Sequence, residues 1–426
     1  MDTVEKYSRY VITSCTKGVE PVVVDHALGA TITDTSGKSY LDCFAGISVV
    51  NAGHCNERVN AAAKAQIDRL IHANVYSYYL TPAADLAEKL AEILPDPLEK
   101  TFFCNSGAEA IEGALRAIKK FNGHRETISL MASFHGRTYG TLSITGQSGR
   151  KRGGGPYAPG SAFAPVPYCY RCPFRMSYPE CGLACAEAVE DTFRYQTSDD
   201  VAAFITEPVM GEGGILTPPA EYFKVAVGIA RDHGALWLAD EVQSGFGRTG
   251  KMFAFQHMGM VPDAVAMAKG IANGFPLGAF TTRADVADSF EPGDHLSTFG
   301  GNPVSCAASL ANIAYFQAED LPGQSARKGE MAQGLFRGLQ EKHRMIGDVR
   351  GRGLMIGIEL VSDEKKTPAA AATGTVKAYC REHGVLLGSG GVFGNVIRFQ
   401  PPLVISEEQI EQAVQIIDAG LSSIEQ

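Results

Sequence analysis

Four short apolar runs constrain this chain most: TISLM (127–131), VAAFIT (201–206), ALWLA (235–239) and DAVAMA (263–268), each continuous and bounded by turn residues. They lack the alternation of a strand with one wet face and are too short for buried helices, so each predicts a strand covered on both sides. Helical patterns lie between them, AEAIEGALRAIKKF (108–121) and PAEYFKVAVGIARDHG (219–234), the second closing on glycine. Buried strands joined by helical crossovers require a parallel or mixed sheet. With 45% hydrophobic and 20% charged residues, the chain has material for a sizeable core and too little charge for disorder.

The ends read differently. After about residue 310 a long helical pattern leads into GDVRGRGLMIGIELV, a helix near 373–384, VLLG, VIRFQPPL and a last helix near 406–422, which predicts a compact α+β lobe. ATITDTSGKSYLDCFAG, within the first fifty residues, predicts a hairpin that joins this lobe. The expected division is therefore 1–53 as the N-terminal segment of the small lobe, 54–310 as a large domain and 311–426 as a C-terminal small domain.

Thirty-eight Lys and Arg against 47 Asp and Glu leave a net charge of −9, which disfavours a nucleic-acid partner held by its phosphates. No apolar stretch approaches the ~18 residues of a spanning helix, and MDTVEKYSRYVITSC lacks the basic-then-apolar order of a signal peptide, so the expectation is a cytoplasmic protein without a membrane partner. Of ten cysteines, Cys169, Cys172, Cys181 and Cys185 crowd into YCYRCPFRMSYPECGLAC. That spacing could serve a tetrahedral zinc. The second pair is C-x-x-x-C and no histidine stands beside it, so the preferred expectation is an excursion near the active-site entrance with free thiols and no catalytic metal.

The chemistry gathers at strand ends. Lys269 follows DAVAMA and Asp240 follows ALWLA, which delivers an amine and an acid to the rim where open α/β sheets bind ligands. Desolvation there lowers a lysine's pKa and favours imine chemistry. A pyridine-type cofactor needs both groups, the lysine for its aldehyde and the carboxylate to keep its ring nitrogen protonated. Ser106, Gly107 and Ala108 open a strong helical pattern, where backbone N–H groups can meet a phosphate, although Ser106 and Glu109 also make a capping box without a ligand. GFGRTG (245–250) matches a dinucleotide fingerprint but lacks the crossover helix and the acid at the next strand's end. GRKRGGGPY (149–157) lacks the Gly-Lys-Ser/Thr of a phosphate loop and reads as a plain loop.

With LDCFAGISVVNAGH, FFCNSGAEAIEGALR, SFHGRT, ITEPVMGEGG, LWLADEVQSGFGRTG, AMAKGIANGFPLGA, STFGGNPVSCAA and GDVRGRGLMIGIEL in order, the chain resembles the class III pyridoxal-phosphate-dependent aminotransferases. γ-Aminobutyrate, ornithine and other ω-amino-acid enzymes belong to that branch. The resemblance implies an aspartate-aminotransferase-like α/β fold (fold type I), with a large mixed-sheet cofactor domain and a small α+β lobe. It implies pyridoxal 5′-phosphate as cofactor and a homodimer or dimer of dimers with sites at the subunit interface. Carried over by motif, Lys269 is the Schiff-base lysine and proton carrier, and Asp240 the partner of the ring nitrogen. Gly107 and Ala108 bind the phosphate beside Ser106, with Thr298 of the partner subunit adding its hydroxyl. Phe134 stacks on the ring where many relatives have tyrosine, Val242 packs beneath it and Gln243 touches its 3′-oxygen. His135 and Glu207 count as supporting cofactor-binding residues.

For substrate, the resemblance implies Arg137 as the grip on a remote carboxylate, Ile47 and Tyr76 as pocket residues, Arg398 as the grip on an α-carboxylate and Glu212 as its partner when that carboxylate is absent. Tyr76 stands where the bacterial γ-aminobutyrate enzyme has glutamine, which leaves donor length open. The expected activity is amino transfer from an ω-amino acid, γ-aminobutyrate foremost, to 2-oxoglutarate. Ornithine, β-alanine, diamine or taurine donors with pyruvate as acceptor, and racemisation or epimerisation on the same fold, are the alternatives. A cofactor-binding regulatory protein without turnover is the rival from another class.

Overall fold

The computed structural model describes residues 1–16 and 18–425, and among them two mixed seven-stranded sheets form. The first runs in the order Lys100–Cys104, Gly278–Thr282, Ala264–Met267, Leu236–Asp240, Val201–Thr206, Glu126–Leu130, Ser161–Ala164. Gly278–Thr282 is antiparallel to both neighbours, and the remaining pairs are parallel. Every residue of Val201–Thr206 and of Ala264–Met267 is buried, as continuous apolar runs require. Because Leu236–Asp240 and Ala264–Met267 are parallel and Asp240 pairs with Ala266, Asp240 and Lys269 emerge at one edge.

The helix Gly107–Asn122 shows how the local sequence sets its own limits. Ser106 accepts a hydrogen bond from the Glu109 amide at 3.3 Å at its start, and Gly123, with φ 75°, stops it in the left-handed region. Ala110, Ile111, Ala114, Leu115, Ala117 and Ile118 fall on one stripe, and that stripe is buried in a cluster with sheet residues Ala203, Ile205, Leu238, Ala266 and Phe280.

The second sheet runs Val24–Leu28, Thr31–Asp34, Ser39–Cys43, Val385–Gly390, Val396–Phe399, Met355–Leu360, Ile346–Arg352. Ser39–Cys43 and Val385–Gly390 pair in parallel, so the N-terminal hairpin extends a sheet built by the C-terminal segment. The helices Leu321–Lys342, Ala370–Glu382 and Glu407–Ser422 pack on it and on each other. Helix Pro303–Ala318 runs through residue 310 without a break. No helix among the described residues is long and apolar enough to cross a membrane.

GFGRTG fastens the two sheets. Arg248 is fully buried and donates to the carbonyls of Leu354 and Pro401, at 3.0 and 2.5 Å, and to Asn51 Oδ1. Burial pushes its guanidinium pKa down to about 9. Substituting Arg248→Met strands these acceptors in the core, and the expected cost is about 3 kcal/mol of unfolding free energy. Chemical denaturation measures it, and a loss below about 1 kcal/mol would mean that the acceptors find other donors.

In the cysteine-rich excursion, Cys169 is exposed, Cys172, Cys181 and Cys185 are half-buried, and all four are free thiols. Its base is anchored by Tyr168 and Arg171, which both bond the buried Glu359. Arg350 bonds Glu359 at 2.7 Å and the Gly214 carbonyl at 2.7 Å, which ties the excursion to the loop carrying Glu212. Among the described residues, no group of three or more His, Cys, Asp and Glu is arranged to hold a metal. Protein purified without chelator is expected to carry well under one zinc per chain by elemental analysis; about one per chain would overturn this.

Candidate active site

The edge where Asp240 and Lys269 emerge opens onto a cavity of about 260 Å³. Gly107, Ala108, Phe134, His135, Arg137, Glu207, Glu212, Asp240, Val242, Gln243 and Lys269 line it, so these expected site residues converge from five separate stretches of chain.

Lys269 sits at φ 47°, a left-handed conformation that a non-glycine residue adopts only where its surroundings impose it. Burial lowers its pKa, Glu212 and Asp240 oppose that, and Arg398 adds to it, with the net shift downward. An amine so placed is closer to its neutral, nucleophilic form. The Asp240 side chain is 3% exposed; Oδ2 lies 2.7 Å from His135 Nδ1, and Oδ1 accepts the Val242 amide at 3.0 Å. His135 Nε2 is buried without a partner among the described residues.

Glu207 has both oxygens on backbone amides, those of Phe134 at 2.8 Å and Gly211 at 2.9 Å. Burial raises its pKa against the pull of His135. It thereby fixes the Phe134 wall to the loop that carries Glu212. Gly107 is required by packing as well as by any ligand, since a Cβ there would lie 2.7 Å from Val242 Cγ1.

The arrangement meets the needs of a phosphorylated pyridine aldehyde. The N-terminus of the helix Gly107–Asn122 offers an anion cradle, and Phe134 and Val242 offer walls for a ring. Asp240 offers a carboxylate oriented by His135, and Lys269 offers an amine.

Arg398 lies on the second sheet, 4% exposed, with Nη1 2.5 Å from Glu212 Oε1. Gly390, on the adjacent strand, leaves room for the guanidinium, since a Cβ there would lie 2.9 Å from Arg398 Nε. Five expected residues do not line this cavity in a single chain: Ser106, which caps the helix Gly107–Asn122, Arg398, which pairs with the lining residue Glu212, and Tyr76, Ile47 and Thr298. Tyr76 Oη donates to the Phe103 carbonyl and accepts its amide, both at 2.8 Å, with its ring stacked on Phe102. Ile47, at φ 71° in a kinked helical turn, and Thr298 are exposed. One residue escaped the sequence reading. Arg150, in the glycine-rich stretch read as a plain loop, places Nη2 3.1 Å from Glu212 Oε2. Nothing in its immediate sequence signals that contact.

Residues 14–421 match the family model for class III aminotransferases. The chain is 40% identical to an acetylornithine aminotransferase of Methanothermobacter thermautotrophicus, over 99% of both proteins. It is 37% identical to a leucine/methionine racemase of Thermococcus litoralis, over 100% of this chain and 96% of that protein. Identity is 36% to a probable 4-aminobutyrate aminotransferase of Bacillus subtilis, over 92% and 91%. Among solved structures, an amine transaminase from an uncultivated Pseudomonas species, with pyridoxal phosphate bound, superposes with a TM-score of 0.91 at 31% identity, covering 96% of this chain and 99% of that one.

Proposed function

The chain belongs to the class III aminotransferases and uses pyridoxal 5′-phosphate, and on that premise we propose that it moves the amino group of an ω-amino acid, γ-aminobutyrate foremost, to 2-oxoglutarate. The products are a semialdehyde and glutamate. The observation that carries this reading is the 2.5 Å ion pair between Glu212 and Arg398, beside a cavity that Lys269 and Arg137 also line. An ω-amino donor bears one carboxylate, remote from its reacting amine. Glutamate bears a second on the reacting carbon. Arg137 suits the remote carboxylate in both, Arg398 suits the second, and Glu212 covers Arg398 when the substrate has none. Burial alone would raise the pKa of Glu212, but Arg398, Lys269 and Arg150 outweigh it and hold the carboxylate below its usual range. Glu212 is therefore charged when it serves as cover.

When bound, the cofactor supplies an aldehyde that exchanges amines and a ring that accepts electrons. In this reading Gly107 and Ala108 hold its phosphate through backbone N–H groups, capped by Ser106, and Phe134 and Val242 flank its ring. Gln243 would meet the cofactor's 3′-oxygen. Asp240, oriented by His135, keeps a proton on the ring nitrogen. Lys269 takes a proton from the donor's reacting carbon and returns it to the neighbouring site, and Glu207 keeps Phe134 in place. We infer a homodimer in which Thr298 of the partner subunit completes the phosphate site. Exposed Ile71, Tyr79, Leu296 and Phe299 support that, being large apolar residues on the segments beside Thr298 and Tyr76. The free thiols fit a reducing cytoplasm.

A donor panel with 2-oxoglutarate and pyruvate tests the activity. Racemisation is the second reading, favoured by the 37% identity to a leucine/methionine racemase. Incubating an enantiopure amino acid without any oxo-acid separates the two, since loss of optical purity there would favour the racemase. For the gate, Arg398→Gln is expected to weaken the half-reaction with glutamate or 2-oxoglutarate by about 10²-fold and that with γ-aminobutyrate far less. Single-turnover spectra of each half-reaction measure this; equal losses would make the pair a permanent bridge between the sheets.

A further inference from the structure

Glu212 does not answer to Arg398 alone. Its Oε1 meets Arg398 Nη1 at 2.5 Å while its Oε2 meets Arg150 Nη2 at 3.1 Å. The two arginines come from unrelated parts of the chain, one from a strand of the second sheet and one from the turn Ser148–Arg150. Arg150 is braced from behind. Its Nε donates to Gln147 Oε1 at 3.3 Å, and Gln147 Nε2 in turn donates to the Ala132 carbonyl at 3.2 Å. Its guanidinium lies 5.7 Å from the centre of the Phe134 ring, and that of Arg137 lies 5.4 Å from the same ring. Three guanidinium groups thus share one neighbourhood with the carboxylate of Glu212, an excess of two positive charges among these four groups.

That excess matters when Arg398 is claimed by a substrate carboxylate. Glu212 must then release it, and a carboxylate that is only 13% exposed is costly to leave without a cation. We propose that Arg150 is a positioning residue that retains Glu212 through Oε2 while Oε1 lets Arg398 go, so that the site prefers dicarboxylates. This rests on the gate described under Proposed function. With a dicarboxylate bound, each cation has one anion: Arg137 the remote carboxylate, Arg398 the carboxylate on the reacting carbon, Arg150 Glu212. With a monocarboxylate, Glu212 bridges Arg398 and Arg150, as in the geometry seen here.

The test is calorimetric titration of the cofactor-loaded enzyme with two unreactive probes, glutarate and butyrate. Arg150→Gln is expected to raise the glutarate Kd by about tenfold relative to the butyrate Kd, and Arg150→Lys to restore it to within about threefold. In a Glu212→Gln background the Arg150→Gln effect on glutarate should vanish, since Arg150 acts through that carboxylate. An equal loss in that background would show Arg150 gripping the ligand itself, and no loss in either background would show that Glu212 needs no second cation; both overturn the proposal. Arg398→Gln is titrated alongside. Unchanged glutarate affinity there would remove the gate itself, an outcome distinct from any result at Arg150. Each variant is compared at equal cofactor content, read from its absorbance.

Discussion

Lys269→Ala is expected to lower turnover by at least about 10³-fold while leaving a folded, cofactor-binding protein. The lysine supplies both the amine and the proton carrier in the proposed mechanism, and among the described residues no other amine lines the cavity. The fold should tolerate the change. Lysine and alanine are equally strained at φ 47°, so the backbone gains no new penalty, and the cradle at Gly107 and Ala108 remains. Steady-state and single-turnover rates are the measurement, with cofactor content read after gel filtration. A rate within about tenfold of the parent would remove Lys269 from the chemistry.

Asp240→Asn should cost about 10²- to 10⁴-fold in the rate of proton removal from the donor, with little change in cofactor content. Asparagine keeps the shape and can still accept the Val242 amide, which Asp240 Oδ1 holds at 3.0 Å. It brings no negative charge, so the ring nitrogen loses the anion that stabilises its proton, and His135 loses a charged partner at 2.7 Å. A donor deuterated at the reacting carbon provides the readout. The isotope effect should grow as proton removal becomes limiting, whereas a rise in KM with unchanged kcat would make Asp240 a binding group only.

Much of the fold was legible because its causes are local. A continuous apolar run too short for a buried helix and bounded by turns reads as a strand covered on both faces, and VAAFIT became Val201–Thr206 without a shift. ALWLA and DAVAMA became Leu236–Asp240 and Ala264–Met267, and their parallel pairing carried Asp240 and Lys269 to one edge. The helix over 108–121 appeared as Gly107–Asn122, bounded by a serine cap and a left-handed glycine that are both readable in the sequence. For residues at strand ends and helix starts, position along the chain already implies position in space.

Tertiary structure decided the rest. Arg150 and Glu212 are 62 residues apart and Glu212 and Arg398 are 186 apart, so their junction depends on the path of a glycine-rich loop and on how the second sheet lies against the first. No periodicity encodes such a contact. The same holds for GFGRTG, whose arginine could have met a ligand or the solvent and instead donates to Asn51, Leu354 and Pro401. It holds for Tyr76 too, whose hydroxyl turned to the Phe103 backbone rather than the cavity. Sequence alone determined four of the seven strands of the first sheet, the caps of the helix Gly107–Asn122 and the edge that bears the amine and the acid, because those follow from burial and local backbone preference. Only the folded chain decided which charges meet, because a salt bridge forms where two side chains happen to reach each other, and that reach is a property of packing.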